Sequence, residues 1–154
     1  SSLTEFSAIA WWLARSYPKR KLLPESIAGE VRVLGIMNYA VHTLHTQGFA
    51  RIFTTERFSP SSSDHESVKA QGRQIIDQGF AIINRELEGR DYVAEHFSIA
   101  DAALFYVEFW ADRTGIPLPA NCAAHYRRLL TRPAVRQVLA EEGYASVLRQ
   151  TSQG

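Results

Sequence analysis

Apolar residues recur at helical spacing along most of the chain, broken by short polar or proline-containing stretches. Thr4 to Tyr17 predicts a helix with Ile9, Trp12 and Leu13 as its apolar stripe, Thr4 as a cap and Glu5 at its positive end. Pro18 stops it. Lys19-Arg20-Lys21 and Leu22-Leu23-Pro24 read as a solvated basic connector. Glu25 to about Arg51 predicts a long helix with two apolar stripes. One carries Ile27, Val31, Leu34, Asn38, Val41 and His45; the other carries Val33, Met37, Ala40 and Leu44. A helix apolar on two faces is covered on both, one by the core and the other by a partner subunit. Phe58 to Asp64 is a polar loop. His65 to Leu87 is again helical, with Val68, Ile75, Ile76, Ile83 and Leu87 inward, and Gly89 as a left-handed cap. Gly72 and Gly79 lie on that inward side, where they would let another helix approach.

Ser98 to about Arg113 is apolar nearly all round and belongs at the centre of the bundle. It opens with Phe97-Ser-Ile-Ala-Asp101, a capping-box pattern in which the Asp101 carboxylate reaches back to the Ser98 N–H and Phe97 packs on Ala102. That makes Ser98 and Asp101 a structural cap. Gly115 to Pro119 is a turn, Ala120 to Leu130 a helix, and Arg132-Pro133 the start of one more. The tail Thr151 to Gly154 is expected to fray. No stretch alternates as a strand does and no internal repeat occurs, so the expected fold is an all-α bundle.

Composition narrows the function classes. A chain of 154 residues, 45% hydrophobic and 21% charged, can bury a sizeable core. A net charge of +1 gives no electrostatic reason to expect nucleic acid or an anionic membrane as partner. No apolar run is long enough to span a bilayer. A single cysteine, Cys122, excludes an intrachain disulfide and fits a cytoplasmic setting. The only methionine is Met37, so Ser1 is not an initiator, and we expect a fragment lacking an N-terminal part.

The Phe97–Asp101 box is followed by Tyr106-Val-Glu-Phe-Trp110, Gly115-Ile-Pro-Leu-Pro119, Arg132-Pro-Ala-Val135 and Glu142-Gly143. In that order these resemble the C-terminal helical domain of the glutathione transferase family. The resemblance runs from Leu3 to about Tyr144 and implies a helical bundle of that type without its N-terminal thioredoxin-like domain. By it, residues 1–17 correspond to the last helix of that mostly missing domain, 18–24 to a connector and 25–154 to the helical domain. Asn38-Tyr-Ala-Val-His-Thr-Leu-His45, with Gly48-Phe49 and Ile52-Phe53, is similar to the bacterial beta-class enzymes. Thr46-Gln47 stands where that class often has one lysine, a local insertion.

The resemblance also implies roles. Glu5 would pair with the γ-glutamyl ammonium of glutathione, and the Phe6 N–H, with Ser7 following, would meet the glutamyl carboxylate. Asn38 would contribute to glutathione binding from a neighbouring subunit, and His45 would lie near the reactive sulfur. Read from the residues alone, Glu5 is a surface acid at a helix start and His45 a packed core or interface histidine. Tyr39, Phe49, Tyr106 and Trp110 could line a pocket for an apolar electrophile, although their spacing also suits core packing. His42 and His45 lack further ligands nearby in sequence, so no metal is expected. Cys122 near a helix start could have a lowered pKa, but packing is its expected role. Arg127, Arg128, Arg132 and Arg136 read as a solvated or ion-paired face.

The implied activity of the complete protein is joining glutathione to an electrophile, or glutathione-dependent thiol chemistry, as a cytoplasmic homodimer engaged in detoxification. Glutathione is a co-substrate, and the sulfur-activating residue would lie upstream of Ser1. The alternatives are a non-catalytic interaction domain, or a glutathione-dependent isomerase or dehalogenase on the same fold.

Overall fold

The structure, a computed structural model, describes residues 2–150; the tail Thr151–Gly154 lies outside the described residues. Helices α1 (Phe6–Ser16), α2 (Ile27–Asn38), α3 (Ala50–Phe53), α4 (His65–Glu86), α5 (Ile99–Thr114), α6 (Ala120–Leu130), α7 (Pro133–Glu141) and α8 (Val147–Gln150) follow one another, with no strand among the described residues.

The long second helix forms, but not uniformly. Ser26 caps it, its hydroxyl accepting from Gly29 N–H at 3.1 Å. Between α2 and α3 the backbone widens into a π-helix over Tyr39–Phe49. Thr46 and Gln47 lie within it, and the Thr46 hydroxyl donates to the carbonyl of Val41, five residues back, at 2.9 Å. The stripe of Val33, Met37, Ala40 and Leu44 is fully buried, whereas Ile27 and Val31 of the other stripe are exposed.

α4 packs along the π-helical segment. The approach is close because glycines meet there: a methyl on Gly72 would sit 2.8 Å from the Gly48 carbonyl oxygen, and one on Gly79 would sit 2.4 Å from a Leu44 methyl. α5 is the central helix, touching α1, α2, the π-helical segment and α6. The Ser98/Asp101 capping box is formed. Phe97 meets Tyr92 edge-on at 6.1 Å and lies beneath the Arg132 guanidinium at 3.8 Å.

Helix α1 departs from expectation. It begins at Phe6, and Glu5, not Thr4, occupies the N-cap, with a φ of 70° and no side-chain cap. Its stripe of Ile9, Trp12 and Leu13 is exposed; Ala14 is the residue it buries against the bundle. Glu30 fastens the helix to α2, accepting from the Trp11 indole at 2.7 Å and pairing with Arg15.

Candidate functional site

A cavity of about 640 Å³ opens between α1, the π-helical segment, α5 and the C-terminal helices. That volume lies within the range of small-molecule sites. Its wall is mainly apolar: Phe6, Val41, Phe105, Tyr106, Phe109, Trp110, Val138, Leu139 and Tyr144 line it. His45 and Glu142 are its ionisable residues other than tyrosine.

His45 is held at the wall by Tyr106, ring edge to ring face at 5.2 Å. Burial lowers its pKa, which keeps the imidazole neutral near neutral pH and able to accept a proton. Tyr106 leads on to Trp110 at 6.3 Å, and Trp110 to Phe109 at 5.4 Å. Phe109 meets Tyr144 at 4.9 Å, edge-on, so the wall is one connected set of rings. The Trp110 indole N–H is buried and has no acceptor among the described residues.

The residues expected in the site divide into two groups. Phe6 and His45 line the cavity, with Tyr106 and Trp110. Immediately beside Phe6, the Ser7 hydroxyl donates to Asn38 Oδ1 at 2.7 Å, joining two residues that lie 31 apart in sequence. Glu5 is exposed next to them. Tyr39 and Phe49 do not line this cavity. Phe49 is fully buried in the core and stacks on Phe53 at 5.9 Å; Phe53 in turn meets Trp110 at 5.0 Å, so Phe49 backs the wall from behind. Tyr39 is turned toward α4, its hydroxyl close to Gly79.

Cys122 is fully buried, its thiol 3.7 Å from the Phe80 carbonyl oxygen. Burial, with the nearby Glu108 charge, pushes the thiol up to about 12 and outweighs any lowering from the helix start. No group of three or more His, Cys, Asp or Glu side chains suited to a metal gathers among the described residues. Among the described residues no helix is long and apolar enough to cross a membrane.

A second polar centre lies inside the bundle, away from the cavity. Asp101 accepts from Ser98 N–H and Ser98 Oγ–H through Oδ2, both at 2.7 Å, and from Val93 N–H at 2.8 Å through Oδ1. His125 bridges it to Glu108: Nε2 is 3.0 Å from Asp101 Oδ1 and Nδ1 is 2.9 Å from both Glu108 oxygens. All three side chains are buried. Glu108 and His125 carried no signal at the sequence level beyond being polar within apolar helices.

The sequence model of the family described as the glutathione S-transferase C-terminal domain matches residues 66–129. Among solved structures, a sphingomonad glutathione S-transferase complexed with glutathione is 30% identical, with a TM-score of 0.75, over 92% of this chain and 68% of its own. BphK, a bacterial enzyme of the same family solved as a ternary complex, is 29% identical with a TM-score of 0.79, over 93% of this chain and 70% of its own. A beta-class glutathione S-transferase from Sphingomonas chungbukensis is 27% identical with a TM-score of 0.76, over 92% and 69%. No curated protein sequence matches the chain at a significant level. An all-helical bundle of this architecture, with these matches, defines a transferase-type helical domain. The chain belongs to the glutathione S-transferase family.

Proposed function

We propose that this chain is the helical half of a glutathione transferase. Residues 1–17 close a thioredoxin-like domain, 18–24 connect, and 25–154 form the helical domain. The aromatic cavity takes the electrophile. Glu5, the Phe6 N–H and Ser7 serve the γ-glutamyl end of glutathione. Asn38, bonded to Ser7 of its own chain, joins them there rather than serving a neighbouring subunit as first expected. Neutral His45 stands by the sulfur. A homodimer in the cytoplasm, working in detoxification, belongs to the same proposal.

The observation that carries this reading is a juxtaposition. The hydrogen-bonded Ser7–Asn38 pair adjoins Phe6, and Phe6 shares an apolar cavity with His45. A polar edge for a peptide thus borders an aromatic chamber for an apolar reactant. The exposed apolar residues of α1 support a covering domain, and glutathione is bound in the sphingomonad relative.

The thiolate is the nucleophile in such chemistry, so a thiol pKa must be lowered near the sulfur. Cys122 is unsuited to it. The isolated 154-residue chain is therefore expected to be a poor catalyst. Turnover in a conjugation assay matching that of a two-domain transferase would overturn this division of labour. In the two-domain protein, His45→Ala should lower turnover more than glutathione affinity, as steady-state kinetics with each substrate varied would read. Unchanged turnover returns His45 to a packing role.

A further inference from the structure

The connector Lys19-Arg20-Lys21 meets the beginning of α5 and the beginning of α7 in a second cavity, of about 500 Å³, which shares no residue with the aromatic one. Lys19, Arg20, Lys21 and Arg132 line it with His96, Tyr92, Phe97 and Leu22, and no carboxylate does. Among the described residues, the cations with a carboxylate partner are Arg15, Arg32, Lys69, Arg128 and His125; none of these four is among them. Asp91 is held by Arg128 at 2.6 Å. Glu25 and Glu95 line an adjoining cavity with Arg32 and Arg90, and Lys21 and His96 stand between the two cavities, lining both. On a chain of net charge +1, four unpaired cations at one place are a marked segregation of charge. A cleft of one sign concentrates the opposite ion.

The backbone beneath these cations is fixed. Pro18–Arg20 is a 3₁₀ turn closed by Arg20 N–H to Tyr17 O at 2.9 Å and Lys21 N–H to Pro18 O at 3.0 Å. Lys21 sits at a φ of 51° and reverses the chain, and Leu22 O accepts from Ile99 N–H at 3.1 Å, tying the connector to α5. Arg132 lies 3.8 Å over Phe97. Stacking of this kind holds a guanidinium in place and leaves its in-plane N–H groups free to donate. Such preorganisation lowers the entropy lost on binding.

We propose that this cavity binds a soluble anion of linked phosphate groups. Two arginine forks and two ammonium groups exceed what one phosphate can occupy, and they match the several acceptor oxygens of a di- or triphosphate. The site does not depend on the transferase reading.

The test is calorimetric titration of the 154-residue chain with inorganic tripolyphosphate near physiological ionic strength. Saturable one-to-one binding that weakens with added salt is expected. R20Q/R132Q should weaken it at least about tenfold, since two charge-assisted contacts are lost. K19Q/R20Q, confined to the exposed connector, should weaken it in the same direction, and circular dichroism checks that both variants fold. K69Q/R73Q on α4 should leave it unchanged. Absence of saturable binding, or equal loss in the α4 variant, overturns the proposal, as does full affinity in both R20Q/R132Q and K19Q/R20Q.

Discussion

A single imidazole decides the charge state of the bundle interior. Burial by itself would push His125 toward the neutral form, but its hydrogen bonds to Asp101 and Glu108 outweigh that and raise it to about 9. Burial raises the Glu108 carboxyl, with the His125 contact opposing. Both shifts act on stability with the same sign. A histidine raised from 6.5 to about 9 in the fold gives stability that is full below pH 6.5 and lost as pH rises through 9. The size is on the order of 3 kcal/mol. Glu108, raised in the fold, likewise opposes folding once it must ionise, above its ordinary 4.5. The unfolding free energy from urea titrations should therefore fall between pH 6.5 and 9, and His125→Gln should flatten that slope. A slope unchanged in the variant would place the titrating group elsewhere. Asp101 anchors four contacts to three residues, so Asp101→Ala leaves a buried imidazolium and the Val93 and Ser98 amides short of an acceptor. Removing one partner of such a pair costs about 3–5 kcal/mol, and denaturant midpoints at pH 7 check it. The capping role of Asp101 could be read from Phe97-Ser-Ile-Ala-Asp101 because a cap is local. The bridge to Glu108 could not, because it needs the packing of α6 on α5 to bring position 125 beside 101 and 108.

Among the elements, glycines record which helices must touch. Gly72 faces a backbone carbonyl, and a methyl there would also lie 2.9 Å from the Arg51 Cβ, so neither neighbour can rotate away. Gly72→Ala should destabilise by about 1–3 kcal/mol despite the better helix propensity of alanine. Gly35, in the outer face of α2, has nothing within 4 Å of an added methyl. Gly35→Ala should stabilise by about 0.5–1 kcal/mol. Urea midpoints of the two variants should move in opposite directions; movement in the same direction would mean that α4 does not pack on the π-helical segment in this way. Helix positions and the close glycine side were legible in the sequence because periodicity and turn residues act locally. The π-helix was not: a stretch of Tyr39 to Phe49 keeps a helical hydrophobic pattern whichever hydrogen-bond spacing it adopts. The candidate site was legible in part for the same reason. Phe6, His45, Tyr106 and Trp110 reach one cavity, but Phe49 was drawn into the core, and the contributions of Val138, Leu139 and Tyr144 depend on how the C-terminal helices fold back over α5.

At the scale of the whole molecule, the apolar surface that remains exposed is concentrated on α1 and on the outward stripe of α2. Ile27 is 82% and Val31 62% exposed, one turn apart on the same helix, while the opposite stripe is fully buried. Two bare branched aliphatics on a helix whose core face is complete fit a surface that another copy covers. Burying both fully would contribute roughly 1.5–3 kcal/mol per side chain, counted twice in a symmetric pair. With a net charge of +1, overall repulsion between copies is weak. The proposed homodimer thus has a direct test in sedimentation velocity. The chain should sediment as a dimer at tens of micromolar, and added salt should not dissociate it, because the contact is apolar. I27E/V31E should sediment as a monomer with an unchanged unfolding curve measured on the monomer, since neither side chain is part of the core. A monomeric wild-type chain at that concentration, or a variant that remains dimeric, would remove this face of α2 as the dimer contact.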